Sequence, residues 1–257
     1  MANRAVRVGS IVLGEGMPKI CVPVMGTTPE ELRAAARRAR LAGADLIELR
    51  IDSLSPMPEA EEAAAACRAV REASGLPLIF TLRTARDGGA GDADAAAYEA
   101  LLAETARGGA CDAVDVELSA GEAAFARIAR AAHEAGVIVV GSSHAFGRIA
   151  DARLAGNWLS RQARLGADVL KAAVMAHSRT EALALCLHMA RAGEAEGRPY
   201  IAIAMGPCGV ISRAACEAVG SCLTFGTAGE ASAPGQMEAG ALRQVLLSIH
   251  GAMGGEG

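Results

Sequence analysis

Residues 168–206 read DVLKAAVMAHSRTEALALCLHMARAGEAEGRPYIAIAMG. The stretch opens on an apolar strand-like run at 168–174 and continues as a helical pattern over 178–193. It passes Gly197 and closes on a second strand-like run at 200–206. A short buried strand, a helix and another buried strand form the βαβ crossover that joins parallel neighbours. Outward from this unit the alternation repeats. Strand-like runs at 19–25, 45–51, 77–83, 112–118, 137–143 and 222–228 complete a set of eight. Helical patterns at 29–42, 58–73, 93–108, 120–135, 150–165, 210–219 and 238–250 complete the matching eight. Gly43, Gly75, Gly109, Gly136 and Gly166 also stand near helix ends, where a left-handed residue closes the last turn. Eight β/α units in sequence predict an α/β chain folded as a closed (β/α)8 TIM barrel.

The leftover AVRVGSIVLGEG at 5–16 reads as an N-terminal β-hairpin capping the bottom of the barrel. No linker or charge run divides the chain, so one barrel domain over 1–257 is expected. The competing fold is an open doubly wound sheet. Its first strand-to-helix turn, VMGTTPEE at 24–31, lacks the GxGxxG of a dinucleotide site.

With 25 basic and 29 acidic residues the formal charge is −4, which gives no electrostatic reason to expect nucleic acid or an anionic membrane surface. A small-molecule substrate fits better. Seven cysteines, odd in number and without a CxxC pair, indicate reduced thiols in a cytoplasmic protein rather than a disulfide frame or zinc site. The start of the chain shows no signal peptide, and PYIAIAMGPCGVIS at 199–212 is too short and too interrupted to cross a bilayer. A soluble protein is expected.

Barrel active sites lie at the C-terminal ends of the strands, so the polar residues placed there carry the chemistry. Lys171 sits in the middle of the run 168–174 among small and apolar neighbours. A lysine in that position needs a buried partner, which Asp115 or Glu117 can supply, or it serves as a desolvated amine nucleophile. Glu48 and Arg50 alternate at the end of the second strand, Arg83 ends the third, and His144 follows the fifth. Arg213 follows the seventh strand; Ser232 and Gln236 follow the eighth. Glu48 with Arg50 or Arg83 also fits an ion-pair network that braces the barrel. The glycines of RDGGAGD at 86–92 lack the context of a phosphate loop and read as flexibility. An amine beside an imidazole and arginines is the equipment for imine chemistry on a small anionic ketone. The amine forms the imine, the imidazole moves a proton, and the arginines fork onto a carboxylate.

The segments LIELRID, FTLRTARDGG, VDVEL, SSHAF, VLKAAVM, GVISR and SAPGQ, in this order and spacing, resemble the type I 3-dehydroquinate dehydratases from about residue 5 to 250. The resemblance implies a (β/α)8 barrel, usually a homodimer, that dehydrates 3-dehydroquinate in the shikimate pathway without metal or organic cofactor. Matched by position, Lys171 resembles the imine-forming lysine and His144 the general acid/base. Arg213 resembles the carboxylate clamp. Glu48, Arg50, Arg83, Ser232 and Gln236 resemble the residues holding ring hydroxyls and carboxylate, and Met205 an apolar wall. The chain departs from the pattern at three places. Asp87 stands where the family has a glutamate orienting the histidine, Pro23 where a serine is frequent, and Ala145 where an acidic residue is usual. A class I aldolase-type lyase and a weakly active paralogue that binds a shikimate-type ligand are the competing readings.

Overall fold

The computed structural model describes residues 4–229 and 231–255. A two-stranded antiparallel hairpin, β1 (Val6–Val8) and β2 (Ile11–Leu13), precedes the barrel. Eight parallel strands follow: β3 (Lys19–Val24), β4 (Leu46–Arg50), β5 (Leu78–Thr81), β6 (Ala113–Glu117), β7 (Ile138–Ala145), β8 (Val169–Met175), β9 (Tyr200–Met205) and β10 (Leu223–Thr227). The helices between and after them are α1 (Pro29–Leu41), α2 (Ala60–Ser74), α3 (Ala95–Arg107), α4 (Glu122–Glu134), α5 (Arg153–Arg164), α6 (Arg179–Glu196), α7 (Ile211–Ala214) and α8 (Ala239–Ala252). A two-residue strand, β11 (Met237–Glu238), extends the sheet beside β10. Among the described residues no helix is long and apolar enough to cross a membrane.

The strand runs and the hairpin agree with the sequence reading, and the helix expected over 210–219 does not. That segment is a 3-10 turn at Pro207–Gly209 followed by the single turn of α7. Ser212 explains part of the break. Its hydroxyl donates back to the Gly209 carbonyl at 2.8 Å and accepts from the Ala204 amide at 2.9 Å, tying the turn to β9. Such local side-chain bonds compete with helix propagation.

Closure is completed at the seam between β9 and β10, where no ladder forms. The Cys222 amide donates to the Tyr200 carbonyl at 2.9 Å. The Ser221 hydroxyl accepts from the Ala202 amide and donates to the Leu223 carbonyl. One backbone bond and one serine side chain thus link the two strands across the join.

Two apolar layers flank the strands. The outer one packs the strands against the helices. The inner one fills the lower barrel with Cys21, Leu46, Ile79, Val140, Val169 and Ile201, and the hairpin residues Val6, Val8 and Leu13 join it as a plug. Side chains two residues apart on a strand share a face. The next inward positions toward the strand C-termini are Glu48, Thr81, Asp115, Ser142 and Lys171, all buried.

Candidate active site

A pocket opens at the C-terminal end of the barrel. All ten residues singled out from sequence line it: Lys171, His144 and Asp87, with Glu48, Arg50, Arg83, Met205, Arg213, Ser232 and Gln236. Phe225, Phe146 and Ile203 add apolar wall. Pro23 and Ala145 do not line it, so of the three departures only Asp87 touches the cavity.

Lys171 is held from two sides. Its Nζ donates to Glu48 Oε1 and Asp115 Oδ2, each at 3.0 Å, and lies 4.5 Å from the centre of the Phe225 ring. Of the two partners expected from sequence, Asp115 is correct. Glu117 instead pairs with Arg83 NH1 at 2.9 Å and accepts from the Thr84 amide and hydroxyl. The buried ammonium therefore has opposite charges and an aromatic face around it, which offsets the cost of desolvation.

Arg83 is the centre of this network. It lies two residues beyond the end of β5 rather than closing it, and it reaches Asp115 at 2.9 Å, Glu117 at 2.9 Å and Ser142 at 3.1 Å. The bracing reading thus holds for Arg83. Arg50 is likewise occupied, with Nε and NH2 forked onto Asp52 at 2.9 and 2.7 Å.

Arg213 is the contrast. Only 1% exposed, it makes two long bonds to the carbonyls of Phe225 (3.5 Å) and Pro234 (3.3 Å), and among the described residues its buried Nε has no partner. No carboxylate of the described residues pairs with it, and burial pushes its guanidinium down to about 10. An under-paired guanidinium in a cavity wall is equipped for an anion. The neighbouring loop holds itself together through Ser232 and Gln236, whose side chains bond each other at 3.0 Å. It is pinned to the barrel by the Gly206 amide donating to Pro234.

His144 lies inside β7 rather than after it. Burial and the Arg83 charge push its ring down to about 4, against the Asp87 hydrogen bond that raises it. At neutral pH the ring is therefore uncharged and free to accept a proton, though as a weaker base than an exposed imidazole. Asp87 Oδ2 lies 3.3 Å from Nδ1 and accepts the His144 amide at 3.2 Å. The shorter acid therefore reaches the ring directly, because its loop runs close to the barrel. The glycines reading as flexibility are a packing requirement. Gly88 has φ +83° and sits against the Phe146 ring, where a Cβ would come within 2.0 Å of it. A Cβ on Gly89 would lie 2.1 Å from the Arg83 carbonyl oxygen.

The family model for type I 3-dehydroquinase matches residues 20–253. The chain belongs to the type I 3-dehydroquinase family. It is 39% identical to a 3-dehydroquinate dehydratase of Klebsiella pneumoniae, over 95% of this chain and 98% of that one. Type I 3-dehydroquinate dehydratase of Clostridium difficile, solved with covalent modified comenic acid, superposes with a TM-score of 0.92 at 34% identity. The match covers 97% of this chain and 99% of that one. The Geobacillus kaustophilus 3-dehydroquinate dehydratase gives 0.91 at 32% identity, covering 97% of each chain.

Three residues in or behind this pocket escaped the sequence reading. Asp52 gave no signal beyond its place after Arg50. Phe225 looked like an ordinary strand residue. Gln162 did leave a trace: it falls on the same α5 face as the buried Ala155 and Leu159, where a polar side chain needs a reason. It clamps the Lys171 backbone, accepting from the amide at 3.0 Å and donating to the carbonyl at 2.9 Å. Gly141 makes room, since a Cβ there would meet Gln162 Cβ at 2.9 Å.

Proposed function

We propose that the protein dehydrates 3-dehydroquinate to 3-dehydroshikimate through an imine on Lys171, with His144 as the acid/base and Arg213 as the carboxylate anchor. The observation that carries this reading is one cavity holding an amine, an uncharged imidazole and an under-paired guanidinium. Lys171 attacks the C3 ketone. The resulting iminium withdraws electrons and acidifies C2, from which His144 removes a proton. The imidazolium formed is stabilised by Asp87 and delivers the proton to the departing C1 hydroxyl, giving syn loss of water. Hydrolysis of the product imine frees Lys171. Arg213 forks onto the substrate carboxylate, while Glu48, Arg50, Ser232, Gln236 and Met205 shape the pocket around the ring. Arg83, its donors taken by Asp115, Glu117 and Ser142, braces the charged layer beneath it. The family resemblance supports action as a homodimer in the cytoplasm, where seven free thiols suit the reducing environment.

Adding 3-dehydroquinate produces the ultraviolet absorbance of a conjugated enone. With sodium borohydride it leaves a reduced adduct on Lys171 in intact-protein mass spectrometry. Lys171→Ala loses adduct and turnover together, the latter by more than about 10³-fold. An adduct on Lys19 or a flat absorbance trace rejects the assignment. A flat trace with measurable ligand binding favours the non-catalytic paralogue.

A further inference from the structure

The two carboxylates on Lys171 are equidistant but not equivalent. The second Asp115 oxygen is taken by Arg83 at 2.9 Å and by the Ser142 hydroxyl, and Asp115 has no part in the cavity lining. Glu48 lines the cavity. Besides Lys171, its Oε1 accepts only the Thr81 hydroxyl at 3.2 Å and has Arg83 at 4.0 Å. Among the described residues its Oε2 makes no hydrogen bond.

We propose that Glu48 shuttles protons from Lys171 to the ketone oxygen while the imine forms, and that Asp115 stays ionised and holds the nitrogen. This inference rests on the imine reading above. The ammonium carries three protons and the iminium one; the ketone oxygen leaves as water with two. Two protons must therefore pass from nitrogen to oxygen, with no change in net charge. Glu48 takes the first, which frees the nitrogen pair to form the C–N bond as the carbonyl pair moves to oxygen. It then protonates that oxygen to give the carbinolamine. It takes the second from nitrogen and passes it to the hydroxyl. The C–O bond breaks, water leaves, and the nitrogen pair forms C=N.

Among the described residues His144 makes no hydrogen bond to the Lys171 nitrogen, its ring being bonded to Asp87, whereas Glu48 touches that nitrogen at 3.0 Å. Asp115 is the poorer acceptor. Burial raises its carboxyl, but Arg83 and Lys171 outweigh that and hold it well below the usual range. Glu48 too is held below the usual carboxylate range: burial raises its carboxyl and the neighbouring Asp115 charge works the same way, but Lys171, Arg83 and Arg50 outweigh them. What sets Glu48 apart is geometry, an oxygen facing the cavity with no hydrogen bond among the described residues.

The test is the rate of borohydride-trapped adduct after rapid mixing with 3-dehydroquinate. Glu48→Gln keeps an acceptor oxygen for Nζ but cannot carry a proton, so adduct formation slows about tenfold to hundredfold. Glu48→Asp, which keeps the titratable group, recovers part of the rate. Asp115→Asn lowers thermal stability by leaving Arg83 short of a partner, and per folded molecule it forms adduct faster than Glu48→Gln. Wild-type adduct formation in Glu48→Gln, or equal slowing in Glu48→Gln and Asp115→Asn, overturns the division of roles alone. Absence of any adduct in the wild type overturns the imine reading and this inference with it.

Discussion

Leu46 and Glu48 lie two residues apart on β4 and point to the same barrel axis, as do Ala113 and Asp115 on β6 and Val169 and Lys171 on β8. The first of each pair belongs to the inner apolar cluster, which the hairpin plugs from below. The second belongs to the charged layer beneath the cavity. Both layers are buried to a similar degree, yet burial does different work in each. In the lower layer it removes apolar area from water and stabilises the fold. In the upper layer it forces every charge to find a partner, and the ion pairs that result add little net stability over an apolar filling. A costly layer of this kind marks where the chemistry sits, and the lower layer supplies the stability that tolerates it.

Substitutions at the two ends should separate cleanly. The largest effect in this comparison belongs to Arg213, the under-paired guanidinium in the cavity wall above that layer. Arg213→Ala should raise KM about tenfold to hundredfold, as expected for losing hydrogen bonds to a charged group, while adduct trapping persists at saturating substrate. Steady-state kinetics showing an unchanged KM would remove Arg213 from substrate recognition.

The effect of Asp87 should be smaller and visible in pH. In the proposed mechanism neutral His144 is the base, so kcat/KM should fall as acid protonates it, with a limb near its pKa of about 4. The Asp87 hydrogen bond raises that pKa. Asp87→Asn removes the raising interaction and should move the limb to lower pH, with turnover reduced several-fold near neutrality because the ring is less basic and less well oriented. Asp87→Glu should also lower turnover, because the aspartate already touches Nδ1 at 3.3 Å and a longer side chain overcrowds a loop packed on Phe146. A faster Asp87→Glu enzyme would show that the direct contact is too weak to serve.

The smallest effect on catalysis is expected in the lower layer. Leu13, fully buried in the hairpin, contributes packing alone. Leu13→Ala should cost about 2–5 kcal/mol in denaturant unfolding and leave kcat of the folded enzyme unchanged. A fall in kcat would mean that the plug transmits strain to the charged layer, which would break the separation between the two ends.

The segments that read well from sequence share a physical basis. The strands and most helices announce themselves through periodicity over a few residues, and the ten residues picked from sequence that line the pocket lie on the strands or in the segments just beyond them. The misreadings arose where a distant group decides the local outcome. The segment 210–219 has helical composition, but Ser212 bonds back toward β9 and ties down its start, and only one helical turn forms. The glycines of 86–92 resemble a flexible loop until the Arg83 carbonyl and Phe146 ring are placed against them. Gln162 gains its meaning only when α5 packs beside Lys171.

By itself the sequence determined the succession of β/α units, which side chains share a strand face, and which chemical groups the C-terminal ends carry. These follow from backbone periods of two and 3.6 residues and need no knowledge of neighbours. Tertiary structure decided the partners. Lys171 meets Glu48 and Asp115 across separations of 123 and 56 residues, Glu117 goes to Arg83, and Arg213 is left under-paired. Those choices depend on barrel closure, on strand stagger and on side-chain lengths differing by a single methylene, none of which is encoded in any local window of the chain.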